Sequence, residues 1–113
     1  MSDDRAVLID VANAVRSVVG FVADRSKFEF DSDMLLQSAV LHQLLVLGEA
    51  VRRLTAEFRA AHPEIDWRGY AGLRNVLIHQ YDNVDLDEVW KIVVDELPKL
   101  DRWIAPLLSD DLS

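Results

Sequence analysis

The residues best suited to chemistry lie close together in the chain, between Arg74 and Tyr81. They include a guanidinium at Arg74, an amide at Asn75 and an imidazole at His79. An imidazole with a pKa near neutrality can take a proton from a hydroxyl or give one to a leaving oxygen. A guanidinium binds phosphate in a bidentate fork and stabilises the charge that develops on phosphorus. The set therefore suits metal-free cleavage of an RNA phosphodiester through attack by the 2′-hydroxyl.

A helix over residues 67–80 would align the polar side chains of this segment on one face. At about 100° per residue, positions separated by four, three and four residues form a polar strip: Arg68, Gly72, Asn75 and His79. Arg74 lies at the edge of this strip, and Tyr81 follows where the helix ends. A separate apolar strip faces the core and consists of Leu73, Val76 and Leu77. An arginine and a histidine five positions apart also occur by chance, so their spacing alone does not establish a site.

Hydrophobic periodicity predicts that helices position this segment. Apolar residues recur every three or four positions over residues 4–24, which indicates an amphipathic helix. A second, longer helix begins after an N-cap at Asp31 or Ser32 and extends to about Arg59. Its first half is apolar on most faces, which predicts a buried central helix. Gly48 inside it indicates a close helix crossing or a kink, because glycine lowers helix propensity.

The rest of the chain predicts two further helices and a final turn. Asp66 caps the third helix, and Asp85 caps a fourth in a pattern that resembles a capping box. Pro98 breaks or kinks the fourth helix, and the polar tail over about 107–113 is expected to fray. No segment alternates apolar and polar residues as a half-buried strand would. The sequence therefore predicts one all-α domain over residues 1–113, a bundle of four to five helices.

Charge and composition narrow the class of function. The net charge of −8 argues against a protein that coats nucleic acid in general. Residues 52–79 are different, because they carry five basic and three acidic side chains, a net charge of +2. An anionic ligand is expected there, although ordinary charge scatter over a small chain explains the difference equally well. The absence of cysteine excludes disulfides, thiolate catalysis and Cys-ligated zinc.

The sequence predicts neither a bound cofactor nor a membrane location. No group of acidic residues has metal-ligand spacing, and no glycine-rich phosphate loop occurs, so we expect neither a metal nor a nucleotide cofactor. The first ten residues lack the basic and apolar regions of a signal peptide. No apolar run approaches the roughly 20 residues that a membrane helix needs. We therefore expect a soluble, cytoplasmic protein without membrane contact.

Other side chains have structural alternatives to a functional role. Glu49 can pair with Arg74 and position it, or it can be a solvated acid that pairs with Arg52 or Arg53 at helical spacing. His42 is expected to be packed and hydrogen-bonded inside the second helix. His62 is expected to lie at a solvated helix end. The tryptophans are expected to pack in the core or at a dimer interface rather than stack on bases: Trp67, Trp90 and Trp103.

The sequence resembles a known family along essentially its whole length. Residues 74–81 match the R-x4-H-x-Y form of the R-x4–6-H motif of HEPN domains, and the chain more narrowly resembles the HepT subfamily. The motif is short and weakly specific, whereas the ordered series of further matches is strongly specific. That series comprises Phe28 to Asp33, Gly48-Glu49-Ala50, Pro63 to Trp67, Gly72 to Asn75, Val89-Trp90 and Leu97-Pro98.

The resemblance implies a HEPN-like bundle that forms a homodimer, with two motifs facing one cleft. It implies a metal-independent endoribonuclease toxin, encoded with a minimal nucleotidyltransferase that acts as the antitoxin. The family's active-site set corresponds to Arg74, Asn75 and His79, with Glu49 and Arg68 as candidate supporting residues. Tyr81 corresponds to the tyrosine that can accept AMP groups from the antitoxin. Two locally positive strips in one cleft would also offset the acidic exterior.

Three hypotheses of function follow. The chain is an endoribonuclease toxin, a non-catalytic HEPN domain that serves as partner or substrate of a nucleotidyltransferase, or a plain helical dimerisation domain. The joint presence of Arg74, Asn75 and His79 favours the first hypothesis over the third. It does not separate the first from the second, because a site can be present and poorly arranged for catalysis.

Overall fold

The computed structural model describes residues 3–79 and 84–109, and its description of side chains excludes residues 74–76, 78 and 79. Within those ranges every regular element is a helix, which confirms the all-α prediction and is consistent with a HEPN-like bundle. The helices are α1 (Asp4–Val22), α2 (Lys27–Ser32), α3 (Met34–Arg52), α4 (Ala56–Ala61), α5 (Trp67–His79), α6 (Leu86–Lys91) and α7 (Leu97–Ser109). A π-helical segment, Ile92–Glu96, joins α6 to α7.

The segment between the first two predicted helices contains a short helix, α2, that the sequence analysis did not predict. The Ser26 hydroxyl accepts a hydrogen bond from the Glu29 N–H at 3.1 Å, and the Glu29 carboxylate accepts one from the Ser26 N–H at 2.9 Å. This reciprocal pair is a capping box, which satisfies backbone donors at the start of a helix. Phe30 is fully buried and packs α2 against the bundle.

The N-cap of the central helix α3 lies one residue after Ser32 and two after Asp31, the two predicted caps. Asp33 is the N-cap, and its carboxylate accepts a hydrogen bond from the Leu36 N–H at 3.0 Å. Ser32 is instead the last residue of α2. Gly48 is buried, as a position at a close helix crossing would be. The prediction of a buried central helix is confirmed, because α3 packs against both α1 and α5.

The prediction that the second helix extends to Arg59 is wrong, because α3 ends at Arg52 and a separate helix follows. Thr55 is the N-cap of α4, and its hydroxyl accepts a hydrogen bond from the Phe58 N–H at 3.1 Å. The same hydroxyl and the Thr55 N–H donate to the two carboxylate oxygens of Asp4, at 2.7 and 2.9 Å. A contact with the start of α1 therefore stabilises the break, and local sequence could not reveal that contact.

The break predicted at Pro98 is wrong, since α6, the π segment and α7 continue as helix to Ser109. The predicted alternative, a kink, stays a prediction. Within the π segment the N–H of Leu97 donates to the carbonyl of Ile92, five residues earlier. This wider turn accommodates the pyrrolidine ring and the missing N–H that would interrupt an ordinary α-helix. The part of the expected tail beyond Ser109 lies outside the described residues.

The direction of α5 relative to α3 matters for the site. α5 begins beside α4, where the Trp67 ring lies 5.9 Å from that of Phe58, and α4 follows the C-terminal end of α3. α6, the next described helix, begins at the opposite end of the bundle, where Asp87 pairs with Lys27 of α2 at 2.6 Å. Because α5 also packs against α3, the two helices run antiparallel. The C-terminal end of α5 therefore lies towards α2 and the start of α3.

One helix, α3, is long and apolar enough to cross a membrane by length and composition, which corrects the expectation that no apolar run approaches that length. It has 19 residues and a mean hydropathy of 1.4 over an 18-residue window, and 44% of that window is buried. The buried residues of α3 belong to the core that it shares with α1 and α5. These features are those of a core helix, and they are consistent with a soluble protein.

Candidate functional site

The N-terminal end of α5 is held by a cap and by aromatic packing. The Asp66 carboxylate accepts a hydrogen bond from the Gly69 N–H at 3.1 Å, which confirms the predicted cap. A β-carbon at residue 69 would collide with that carboxylate, so a larger residue there would force the Asp66 side chain to shift. Trp67 is buried, and its indole N–H donates to the carbonyl of His62 at 2.9 Å. The Trp67 ring also lies 5.6 Å from that of Trp103 on α7.

The helical register of α5 fixes which positions face the core. Trp67 and Leu77 are buried, and Leu73 is partly buried against the same core, so the predicted apolar strip is confirmed at the residues whose side chains are described. Position 74 lies about two turns after Trp67 and nearly one turn before Leu77. The α5 backbone at Arg74 is therefore closer to the core-facing side than to the polar strip. Its side chain lies outside the described residues.

The first half of the predicted polar strip faces outward. Arg68 is exposed, and no described atom lies within 4 Å of the point where a β-carbon would extend from Gly72. Gly72 therefore leaves open space beside the strip, as the sequence predicted. The backbone of Asn75 and His79 continues α5, whereas their side chains, like residue Tyr81 as a whole, lie outside the described part of the chain.

A cavity that the sequence analysis missed lies on another side of α5. It has a volume of about 300 Å³ and lies between α5 and the π segment, lined by Asp66, Gly69, Tyr70, Leu73, Ile92 and Glu96. Burial, together with the negative charges of Glu96 and Asp66, raises the pKa of Tyr70 to about 12. The spacing of Asp66 and Tyr70 on one helix could have indicated their proximity, whereas the contribution of Glu96 depends on tertiary packing.

The aromatic residues behind α5 pack against each other, as predicted for the tryptophans. Trp90 lies 5.2 Å from Phe30 between ring centroids. The His62 ring lies 4.6 Å from Phe58 and 5.2 Å from Trp103, so the prediction of a merely solvated histidine is wrong. The sequence signal that this prediction overlooked is Phe58, an aromatic residue four positions before His62.

Glu64 connects this aromatic group to α7. Its carboxylate accepts a hydrogen bond from the Trp103 indole at 2.8 Å and lies 3.6 Å from the His62 imidazole. Hydrogen bonds from its own backbone N–H and from Trp103 hold the pKa of the Glu64 carboxyl below its usual value.

The outward side of α3 is exposed from one end of the helix to the other. His42 lies on this side and is exposed, so the expectation that it is packed inside the helix bundle is wrong. Glu49 is exposed as well and is therefore not a buried acid. Its pairing with Arg74 stays a prediction, because the Arg74 side chain is not among those described.

An apolar patch lies at the end of the bundle towards which α5 points. We call it the α2–α3 patch, and it consists of Phe28, Met34 and Leu35, which are 80%, 80% and 81% exposed. Phe21 lies beside it and is 37% exposed. Three large apolar side chains with such exposure are unusual on a small domain, and apolar surface of this kind is typical of a site that contacts another molecule.

Several described cationic side chains are paired with carboxylates, and several are not. Four are in ion pairs or hydrogen bonds with carboxylates: Arg16 with Asp101, Arg25 with Asp33, Lys27 with Asp31 and Asp87, and Arg53 with Asp10. Five others are exposed and have no ion pair with a residue whose side chain is described: Arg52, Arg68, Lys91, Lys99 and Arg102. Among residues 3–79 and 84–109, no three histidine or acidic residues gather as metal ligands would.

Comparison with known proteins gives a consistent result. The family model described as "Ribonuclease HepT-like" matches residues 11–107. A Methanocaldococcus jannaschii protein provisionally named an RNase is 34% identical over 108 residues, which is 96% of this chain and 89% of that protein. A Thermococcus cleftensis protein provisionally named ribonuclease HepT is 37% identical over 93 residues, 82% of this chain and 84% of that protein. No solved structure gives a significant match.

The match to the family model includes the whole of α5 and the Arg74-to-Tyr81 segment on which the resemblance was based. The similarity to the two relatives extends over most of each chain, and the helical architecture is consistent with it. The chain therefore belongs to the HepT-like ribonuclease family.

Proposed function

We propose that this protein is a metal-independent endoribonuclease and the toxin of a toxin–antitoxin pair. The observation that carries the proposal is that the ribonuclease family match includes α5, the helix on which Arg74, Asn75 and His79 all lie. Two features of the fold support it. The polar strip of α5 faces outward at Arg68, and Gly72 leaves space beside it for a polynucleotide strand.

In the proposed reaction, His79 removes the proton of a 2′-hydroxyl, and the 2′-oxygen attacks the adjacent phosphorus. The bond from phosphorus to the 5′-oxygen breaks, and that oxygen leaves with a proton. The products are a 2′,3′-cyclic phosphate and a 5′-hydroxyl end. Arg74 stabilises the negative charge on the phosphoryl oxygens, and Asn75 orients the imidazole or a phosphate oxygen. Glu49 would act as a positioning residue for Arg74.

The proposed active form is a homodimer in which the motifs of two copies face one cleft. The α2–α3 patch supports this arrangement, because it exposes large apolar side chains at the same end of the bundle as the C-terminal end of α5. A two-fold axis near this patch would bring both motifs together. One histidine could then act as the base while its counterpart protonates the leaving oxygen.

The proposed regulator is a minimal nucleotidyltransferase antitoxin that acts in the cytoplasm and adds AMP to Tyr81. An added AMP would place a phosphate close to Arg74 and His79, where it would compete with RNA phosphate for the guanidinium. Modification and RNA cleavage should therefore exclude each other. Tyr81→Phe should retain the toxin fold and activity but escape this inhibition.

The second candidate function is a non-catalytic subunit that a nucleotidyltransferase binds or modifies. The α2–α3 patch fits this candidate as well, since a partner protein could cover it. The two candidates differ in one measurable property. The toxin cleaves RNA when purified alone, whereas the non-catalytic subunit does not, although it would still gain the mass of AMP when it is co-expressed with the partner.

The decisive experiment is RNA cleavage by purified protein in the presence of EDTA. The wild-type chain should cleave and leave a 2′,3′-cyclic phosphate or its hydrolysis product. His79→Ala and Arg74→Ala should each abolish cleavage without loss of helicity by circular dichroism. His42→Ala is the matched control, because it removes an exposed histidine from α3 and should leave activity intact. Full activity in His79→Ala protein would refute the proposed mechanism.

A further inference from the structure

Two exposed arginines lie at the end of the α3–α5 pair that is farther from the motif histidine. Arg52 is the last residue of α3, and Arg68 is the second residue of α5. Because the two helices pack antiparallel, both residues lie at the same end of the pair. The surrounding stretch, residues 52–79, carries a net charge of +2, whereas the net charge of the whole chain is −8.

The position of Arg68 does not benefit its own helix. The N-terminal end of a helix carries a partial positive charge, so a cation in the first turn is unfavourable. Arg68 has no compensating ion pair among the described side chains, and the exposed cations Lys91, Lys99 and Arg102 also lack one. What distinguishes Arg68 is its position in the first turn of the helix that carries the motif, and a ligand explains that position better than folding does. Arg52 lies in the last turn of α3, where the helix dipole favours a cation. Its position is therefore weaker support for a bound ligand.

The distances along α5 suit a strand that extends from the motif. At 1.5 Å of rise per residue, Arg68 lies roughly 9 Å along the axis from Arg74 and roughly 16 Å from His79. A stacked strand has one phosphate for about every 3.4 Å of its axis, so these intervals correspond to roughly three and five phosphates. Gly72 lies between them on the outward side, and the space beside it is open to the described atoms of the protein.

We propose that Arg68, assisted by Arg52, binds phosphates of the RNA strand about three to five nucleotides away from the bond that is cut. This inference rests on the proposed ribonuclease function and adds to it a substrate-binding extension outside the motif. The extension helps an acidic protein to bind a polyanion, because Arg52 and Arg68 lie within residues 52–79, a stretch with a net charge of +2. The expected ligand is single-stranded RNA, bound through its backbone without base preference.

The first test measures RNA binding in the His79→Ala background, so that cleavage does not interfere. The variants are Arg68→Gln, Arg52→Gln and the double variant. Arg102→Gln is the control, since it removes an exposed arginine from α7 that also lacks an ion pair among the described residues. For a single strand, each lost phosphate contact lowers the slope of log K against log salt by about 0.7. When salt is raised from 50 to 200 mM, the RNA affinity of a variant should therefore fall about 2.6-fold less than that of the parent for each arginine removed.

The second test varies RNA length in the same background. The parent should gain affinity as the strand is lengthened by up to about five nucleotides on one side of the cleaved bond, and the double variant should lose most of that gain. A parent-like salt slope and length dependence in Arg68→Gln protein would overturn this inference while leaving the ribonuclease proposal intact. An equal effect of Arg102→Gln would also overturn it, because binding would then depend only on total charge. Absence of any RNA binding by the parent would overturn both proposals.

Discussion

The α2–α3 patch gives the most direct test of the proposed dimer, through the substitution Leu35→Ser. Leu35 is 81% exposed in the single chain, so nearly its whole side chain is available for burial by a second copy. Full burial of a leucine side chain contributes roughly 1.5–3 kcal/mol, and four fifths of that is roughly 1.2–2.4 kcal/mol. A two-fold interface contains the residue twice, so the substitution should weaken dimerisation by roughly 2.4–4.8 kcal/mol.

That free energy corresponds to a dissociation constant raised by roughly 50- to 3000-fold. Sedimentation analysis over a range of protein concentrations should show a shift from dimer to monomer at micromolar concentration. Val94→Ser is the matched control, since Val94 is a partly exposed apolar residue, 40% exposed, on the π segment. Val94→Ser should unfold at nearly the wild-type temperature, because exposed positions usually change stability by less than about 0.5 kcal/mol. Leu35→Ser should keep the wild-type helicity by circular dichroism but unfold at a lower temperature, because it loses the stabilisation that dimerisation gives. A Leu35→Ser protein with the wild-type dissociation constant would show that the two copies do not meet at this patch.

Three further predictions concern the fold around α5. Thr55→Val should lower the free energy of unfolding by about 1–2 kcal/mol in urea titration, because it removes the cap of α4 and the hydroxyl bond to Asp4; unchanged stability would mean that the break between α3 and α4 does not depend on these bonds. The lowered pKa of Glu64 contributes stability that is present above the unfolded value of 4.5 and is lost as pH falls through the folded pKa. Trp103→Phe removes one cause of that shift, so its stability should depend less steeply on pH below about 4.5 than that of the wild type, and equally steep curves would contradict the assignment. Tyrosinate absorbance should show a group that titrates near pH 12, absent in Tyr70→Phe; a wild-type titration complete by pH 11 would contradict it.

The sequence was informative wherever local chemistry determines structure. The apolar periodicity of α1 predicted its extent closely, and Asp66 and Asp85 cap α5 and α6 as their residue types indicate. The sequence was uninformative where the local structure depends on a residue outside the segment itself. The break after α3 depends on a hydrogen bond from Thr55 to Asp4, and the continuity through Pro98 depends on a π turn whose carbonyl acceptor lies five residues back. Thr55 is a residue type that favours an N-cap, but neither its bond to Asp4 nor the π turn has a signature within a short window of sequence.

The same distinction applies to the candidate site. The order of Arg74, Asn75 and His79 along one helix could be predicted, because spacing alone determines helical register. The side of α5 that contacts α3 could not be predicted, since it depends on which apolar residues the bundle buries. Trp67 and Leu77 mark the core-facing side of α5, and helical register places the backbone of Arg74 closer to that side than to the polar strip. The pairing of Glu49 with Arg74 stays a prediction.

The two ends of the α3–α5 pair differ in chemistry, so dimerisation and RNA binding should respond differently to salt. The α2–α3 patch at one end is apolar, so its association with a second copy should depend little on salt. Arg52 and Arg68 at the other end bind only through charge, so their contribution to RNA binding should fall steeply as salt rises. Between 50 and 200 mM salt the dimer should therefore persist while RNA dissociates. Because the two surfaces do not overlap, RNA binding should not compete with dimerisation, and Arg68→Gln should leave the dimer dissociation constant unchanged. Leu35→Ser should weaken RNA binding, because it separates the two motifs that form the proposed cleft.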